Sequence, residues 1–128
     1  MSRGLADTSV FVARESGPSL DVAVLPDELA VSVITIGELR AGVLVAADAA
    51  DRDRRLITYA AALTLDAIPV DGDVADRWAR LRVALRDARL RMPVNDSWIA
   101  ATAMSLDVPV VTQDRDFPNV AGLEVVRV

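Results

Sequence analysis

A chain of 128 residues with 52% apolar and only 4% aromatic side chains has room for one aliphatic core of Val, Leu, Ile and Ala. It has no Cys and no His, and its 14 basic residues are all Arg, which excludes disulfides, thiolate zinc sites, imidazole bases, Walker-type lysines and Schiff-base chemistry. The net charge of −5 argues against a generic nucleic-acid binder, which is ordinarily basic, and leaves carboxylates and hydroxyls as the reactive groups, a donor set suited to Mg²⁺ or Mn²⁺.

Residues 3–7 read as a buried strand that stops at Asp7. Thr8 or Ser9 then caps a short helix to about Arg14, which Gly17-Pro18 breaks. Ser19-Leu20-Asp21 begins a second short helix ending near Pro26, and residues 29–32 are a second strand. Thr35-Ile36-Gly37-Glu38 has the spacing of a capping box, so a helix is expected from about Ile36 to Ala47, with Leu39, Val43 and Ala46 at helical spacing. The charged run from Asp48 to Asp53 is expected to turn the chain before a helix over 53–64. Residues 65–70 read as a third short strand.

A long helix is predicted over 73–91, with Val74, Trp78, Leu81, Leu85 and Ala88 on its apolar stripe. Six arginines lie around its other sides, and Pro93 ends it. A further helix over 96–106, a buried strand over 108–112 and a last strand over 123–128 complete the chain. No apolar run approaches the roughly 20 residues that span a bilayer, and no signal-peptide hydrophobic region is recognisable. A soluble cytoplasmic protein without a membrane partner is expected.

Strands alternate with helices throughout. This predicts one α/β domain over residues 1–128, a three-layer α/β/α sandwich with a mainly parallel central sheet. Such sheets bind ligands at the carboxyl ends of their strands. Asp7, Glu38, Asp96 and Asp114 fall at those ends or at the helix starts that follow. Singly, each has an ordinary explanation: helix caps for Asp7 and for Asn95-Asp96, the capping-box partner of Thr35 for Glu38, a solvated turn for Gln113-Asp114-Arg115-Asp116. Gathered at one edge, the same carboxylates repel and raise one another's pKa values unless a cation binds, a cost normally tolerated at functional sites.

Asp7-Thr8-Ser9, Ile34-Thr35-Ile36-Gly37-Glu38-Leu39, Asn95-Asp96-Ser97-Trp98-Ile99-Ala100-Ala101 and Val111-Thr112-Gln113-Asp114-Arg115-Asp116-Phe117 resemble, in order and spacing, the four acidic motifs of PIN-domain nucleases. In a chain this short the pattern is similar to the VapC-type toxins of type II toxin–antitoxin pairs. The resemblance runs from about Leu5 to Val128. It implies that Asp7, Glu38, Asp96 and Asp114 are the catalytic and metal-binding acids, for Mg²⁺ or Mn²⁺. It gives Thr8, Ser9, Asn95, Thr112 and Asp116 supporting roles. It implies an endoribonuclease that hydrolyses RNA phosphodiester bonds with Mg/Mn-activated water, a VapB-type antitoxin as partner, and a homodimer.

The alternative is a catalytically silent PIN-like module acting through antitoxin or RNA binding. A receiver domain or haloacid-type phosphatase also gathers acids at strand ends, but each needs a Lys that this chain lacks. The arginines of 73–91 are candidates for a track along RNA phosphates. The plainer reading is a solvated helix face partly paired with Asp76 and Asp87.

Overall fold

Leu5 and Ala6 are neighbours on the first strand, β1 (Arg3–Ala6), and both are completely buried. Successive strand residues point to opposite faces, so the sheet is covered on both sides. The computed structural model of the chain describes every residue except Pro18 and Asp116, and of Ser16 only its backbone. Beside β1 lie β2 (Glu28–Ser32), β3 (Ala67–Ile68), β4 (Val110–Thr112) and β5 (Val125–Arg127), in the order β3-β2-β1-β4-β5 with every pairing parallel. The helices are α1 (Thr8–Ser16), α2 (Val33–Leu44), α3 (Ala49–Leu63), α4 (Gly72–Asp87) and α5 (Val94–Leu106).

Leu5 and Val110 pack with Leu81 and Leu85 of α4 and Ile99 of α5 on one face. Ala6 and Val111 pack with Phe11 of α1, Leu39 of α2 and Ala62 of α3 on the other. The result is the three-layer α/β/α arrangement expected from the alternation of elements. Successive strands build outward from β1 to β3 on one side, then return to β4 and β5 on the other. The crevice at the carboxyl ends of β1 and β4 is therefore the topological switch point, where open parallel sheets bind ligands. Gly4 permits the close approach of these two strands, since a Cβ there would lie 2.6 Å from Val111 Cγ2.

Several element boundaries differ from the sequence expectation for identifiable reasons. Helix α2 follows β2 directly. Ser32 is both the last residue of the strand and the cap, its Oγ accepting from the Ile34 amide at 3.0 Å. Thr35 is therefore inside the helix, and the predicted capping box with Glu38 does not form. The charged run after Asp48 is helical, because Asp48 caps α3 by accepting from the Asp51 amide at 2.8 Å. Of the predicted second short helix only a 3₁₀ turn, Val22–Val24, is present, capped by Asp21.

Helix α4 ends at Asp87, before Pro93 is reached. The Leu90 amide closes on Leu85 O at 2.9 Å and the Arg89 amide on Arg86 O at 3.1 Å, with Arg89 left-handed at φ 57°. Helix α5 closes the same way at Asp107, φ 55°. Both ends are Schellman motifs, but neither uses the glycine that signals one in a sequence. Among the described residues, no helix is long and apolar enough to cross a membrane.

Candidate active site

Asp7 leaves β1 with its amide bonded to Val111 O at 2.8 Å and caps α1 by position. Its side chain makes no cap bond, which removes the ordinary explanation for this acid. The carboxylate is instead 4% exposed, and its Oδ2 accepts from Ser9 Oγ and from Thr112 Oγ1, each at 2.9 Å. Those hydroxyls are themselves hydrogen-bonded. The Gln113 amide donates to Ser9 Oγ at 3.0 Å, and the Asp114 amide donates to Thr112 Oγ1 at 2.9 Å. Two chains of bonds thus run from backbone amides through hydroxyls into one carboxylate oxygen. Bonds aligned in this sense polarise one another. No buried side-chain polar atom among the described residues lacks a partner, so Oδ1 of Asp7, which accepts no bond, is the oxygen that solvent reaches.

Glu38 lies in the second turn of α2 and is held from α1. Thr8 Oγ1 donates to Glu38 Oε1 at 2.7 Å and lies 2.9 Å from Thr35 Oγ1. A hydroxyl has one proton to give, so with Thr8 donating to Glu38 it is Thr35 that donates to Thr8. Thr35 is completely buried. Its spacing predicts a helix start, and the structure gives it the back of a relay ending on an acid. A cleft of about 280 Å³ opens beside Thr8 and Glu38 and is also lined by Glu15, Gly42 and Arg55.

Asp96 stands in the first turn of α5, half-buried, and Asn95 beside it is exposed. Helix α5 has no side-chain cap, so neither residue serves as one. The Asp96 carboxyl is pushed up to about 6, first by burial and then by the negative charges of Asp7, Asp114 and Glu38. The predicted acids, scattered along the chain, therefore share one electrostatic environment. Asp114 is partly exposed and follows Thr112 at the end of β4. Asp116, the remaining predicted contributor, lies outside the described residues.

Trp78, which the sequence places on the apolar stripe of its helix, and Trp98, which it places in the motif over 95–101, also shape this end of α5. Trp78 Nε1 donates to Ser97 Oγ at 2.9 Å, and Ser97 Oγ donates to Val94 O, tying α4 to the turn that carries Asp96. The Trp78 and Trp98 rings stack with centroids 4.3 Å apart and 3° between planes. Their scarcity was the available signal, since the chain has two Trp in all. The arginines of α4 are largely engaged: Arg80 pairs with Asp76 at 2.8 Å, Arg86 with Asp87 at 3.3 Å, and Arg82 lies over the Trp78 ring at 5.7 Å. This matches the plainer reading of that face more closely than a free phosphate track.

No three of the described carboxylates are gathered closely enough in this arrangement to hold an ion between them. Mg²⁺ does not require that. It keeps several waters and takes one or two direct carboxylates. The solvent-facing oxygen of Asp7, the half-buried Asp96 and the absence of Cys and His from the chain fit a hard, hydrated cation.

The PIN domain family matches residues 5–123 of the chain. Ribonuclease VapC5 of Mycobacterium tuberculosis is 48% identical over 98% of this chain and 95% of its own length. Ribonuclease VapC4 of the same organism is 43% identical over 98% and 97%. The crystal structure of VapBC-5, a toxin–antitoxin system from M. tuberculosis, contains a chain that superposes with a TM-score of 0.92 at 44% identity, with both chains covered completely.

Proposed function

The chain belongs to the PIN-domain family, among its VapC-type members, and from that premise we propose that it is the endoribonuclease toxin of a toxin–antitoxin pair, with a VapB-type antitoxin as its partner. Its substrate is RNA, and Asp7, Glu38, Asp96 and Asp114 are its catalytic acids. A homodimer is the assembly this reading carries with it.

Asp7 and Asp96 would hold Mg²⁺ or Mn²⁺, with Glu38 and Asp114 binding beside them or orienting its waters. When bound, the ion supplies an activated water for in-line attack and offsets charge on the scissile phosphate. The chain's own residues do the positioning. Ser9 and Thr112 fix one Asp7 oxygen and leave the other open to solvent. Thr8, backed by Thr35, fixes one oxygen of Glu38. Asp96, its carboxyl raised to about 6, would give up its proton where a cation is bound. The presence of all the acids of the pattern argues against the alternative of a silent binding module.

The observation that carries this reading is the setting of two of the acids: Ser9 and Thr112 hold one oxygen of the buried Asp7 carboxylate, and the Asp96 carboxyl is raised first by burial and then by the charges of Asp7, Asp114 and Glu38. The test is RNA cleavage in Mg²⁺ by Asp7→Asn and Asp96→Asn. Each is expected to lose about 10²-fold or more, the scale seen when one preorganised electrostatic group is removed. A folded variant that cleaves at the wild-type rate refutes the mechanism.

A further inference from the structure

We propose that Arg115 and Arg127 form a phosphate-binding subsite that grips the RNA strand beside the acids, in a polar cavity of about 680 Å³ lined by Ser19, Asp21, Gln113, Arg115, Arg127 and Val128. The proposal deepens the ribonuclease reading above and rests on it.

The cavity adjoins the acids through shared residues. Arg127 is the register partner of Thr112, one strand spacing away, about 4.8 Å. Thr112 donates to Asp7. Gln113 joins the two places physically: its amide donates to Ser9, which donates to Asp7, while its Nε2 donates to Val128 O at 2.8 Å. Arg115 follows Asp114 directly. A strand whose scissile phosphate lies over the acids therefore runs a neighbouring phosphate past these guanidinium groups.

The charge pattern favours an anion here. Arg80 and Arg86 on α4 already have carboxylate partners. Among the described residues, Arg115 and Arg127 have none. Arg127 Nη2 rests on the carbonyls of Arg115 and Phe117 at 3.4 and 3.3 Å, which steadies the side chain while leaving donors available. Asp21, the acid among the described lining residues, caps the 3₁₀ turn by accepting from the Ala23 amide. An acidic protein needs local cations of this sort, because its own carboxylates repel the RNA backbone. An acidic peptide is the less suitable occupant, since among the described residues Val128 is the one apolar side chain in the lining and peptide docking draws on apolar anchors.

The test measures binding of a fluorescein-labelled, mixed-sequence single-stranded RNA oligonucleotide to the full chain in EDTA, so that turnover does not enter. Arg115→Gln with Arg127→Gln is expected to weaken binding at low salt by about tenfold and to flatten the log–log salt slope by about 1.4, roughly 0.7 for each phosphate that no longer meets a guanidinium. Arg77→Gln with Arg80→Gln removes the same charge from α4 and is expected to change the slope less. Arg127 also touches backbone, so Arg115→Gln, at an exposed position, is measured alone as well. About half the slope change is expected from it.

Affinity and slope equal to wild type in the double variant overturn the subsite. An equal loss in the α4 pair overturns it too, by assigning the effect to net charge. Loss of poly-glutamate binding with RNA binding intact also overturns it, and gives the arginines to an acidic protein segment. The ribonuclease reading fails separately, through Asp96→Asn cleavage in Mg²⁺, a measurement that leaves binding in EDTA untouched.

Discussion

Thr112 Oγ1 donates to Asp7 Oδ2 at 2.9 Å, across 105 positions of sequence. The bond joins the carboxyl ends of β1 and β4, where the strand order reverses. Thr112→Val keeps the shape and deletes one of two donors to a buried carboxylate. The expected outcome is a stability loss of about 1–3 kcal/mol, the cost of under-satisfying such a group. Mn²⁺ affinity is expected to fall by about tenfold or more, as for partners that orient metal ligands. Thermal unfolding and calorimetric titration of Mn²⁺ check the two effects. Thr112→Ser, which keeps the hydroxyl, is expected to recover most of both.

Thr35 acts on Glu38 only through Thr8. Thr35→Val leaves Thr8 still able to donate to Glu38 but without its own donor. RNA cleavage is expected to fall by about three- to tenfold, in line with a bond worth roughly 1 kcal/mol. Thr35→Ser is expected to cleave near the wild-type rate. Equal damage from Val and Ser would mean that the methyl packing matters and the relay does not.

The raised Asp96 carboxyl makes a signed prediction about pH. Its folded value, about 6, lies above the unfolded value of 3.8. Below the lower value both states are protonated and the group contributes nothing. Between the two, the folded chain keeps a proton that the unfolded chain has released, so stability falls as pH rises. Above about 6 the full penalty is present. In EDTA the melting temperature is therefore expected to decline from pH 4 to 6.5 by more in wild type than in Asp96→Asn. Mg²⁺ competes with that proton, so its stabilising shift is expected to be larger at pH 7.5 than at pH 5.

Trp78→Phe removes the indole donor to Ser97 while keeping an aromatic ring against Trp98. A loss of about 1 kcal/mol is expected in denaturant unfolding. Because Ser97 adjoins Asp96 on the first turn of α5, Mn²⁺ affinity is expected to fall as well. Ser97→Ala is expected to reproduce both changes, and a fall in stability alone would confine the contact to helix packing.

The fold was largely legible because the strands are short apolar runs with acids close behind them, directly at Leu5-Ala6-Asp7 and two residues on at Val110-Val111-Thr112-Gln113-Asp114. That pattern carries both the layer order and the edge where the carboxylates gather. The helix starts were harder to read. Ser32 and Thr35 are both hydroxyl residues near the same junction, and either could cap. The outcome depends on where β2 stops pairing with β1, a tertiary fact. The ends of α4 and α5 were hidden for a different reason. Arg89 and Asp107 take the left-handed conformation that Gly usually signals. The relays through Ser9, Thr112 and Thr35 join residues far apart in the chain, and no local spacing encodes them.

Strand β2 passes into α2 at Ser32 without an intervening loop. The junction therefore acts as a fixed gear. Each residue of a helix advances the side chain by about 100°, so one residue inserted after Ser32 would rotate Glu38 out of reach of Thr8 even if every other bond survived. Evolution of this acid is free to change the letters around the joint but not to change their number.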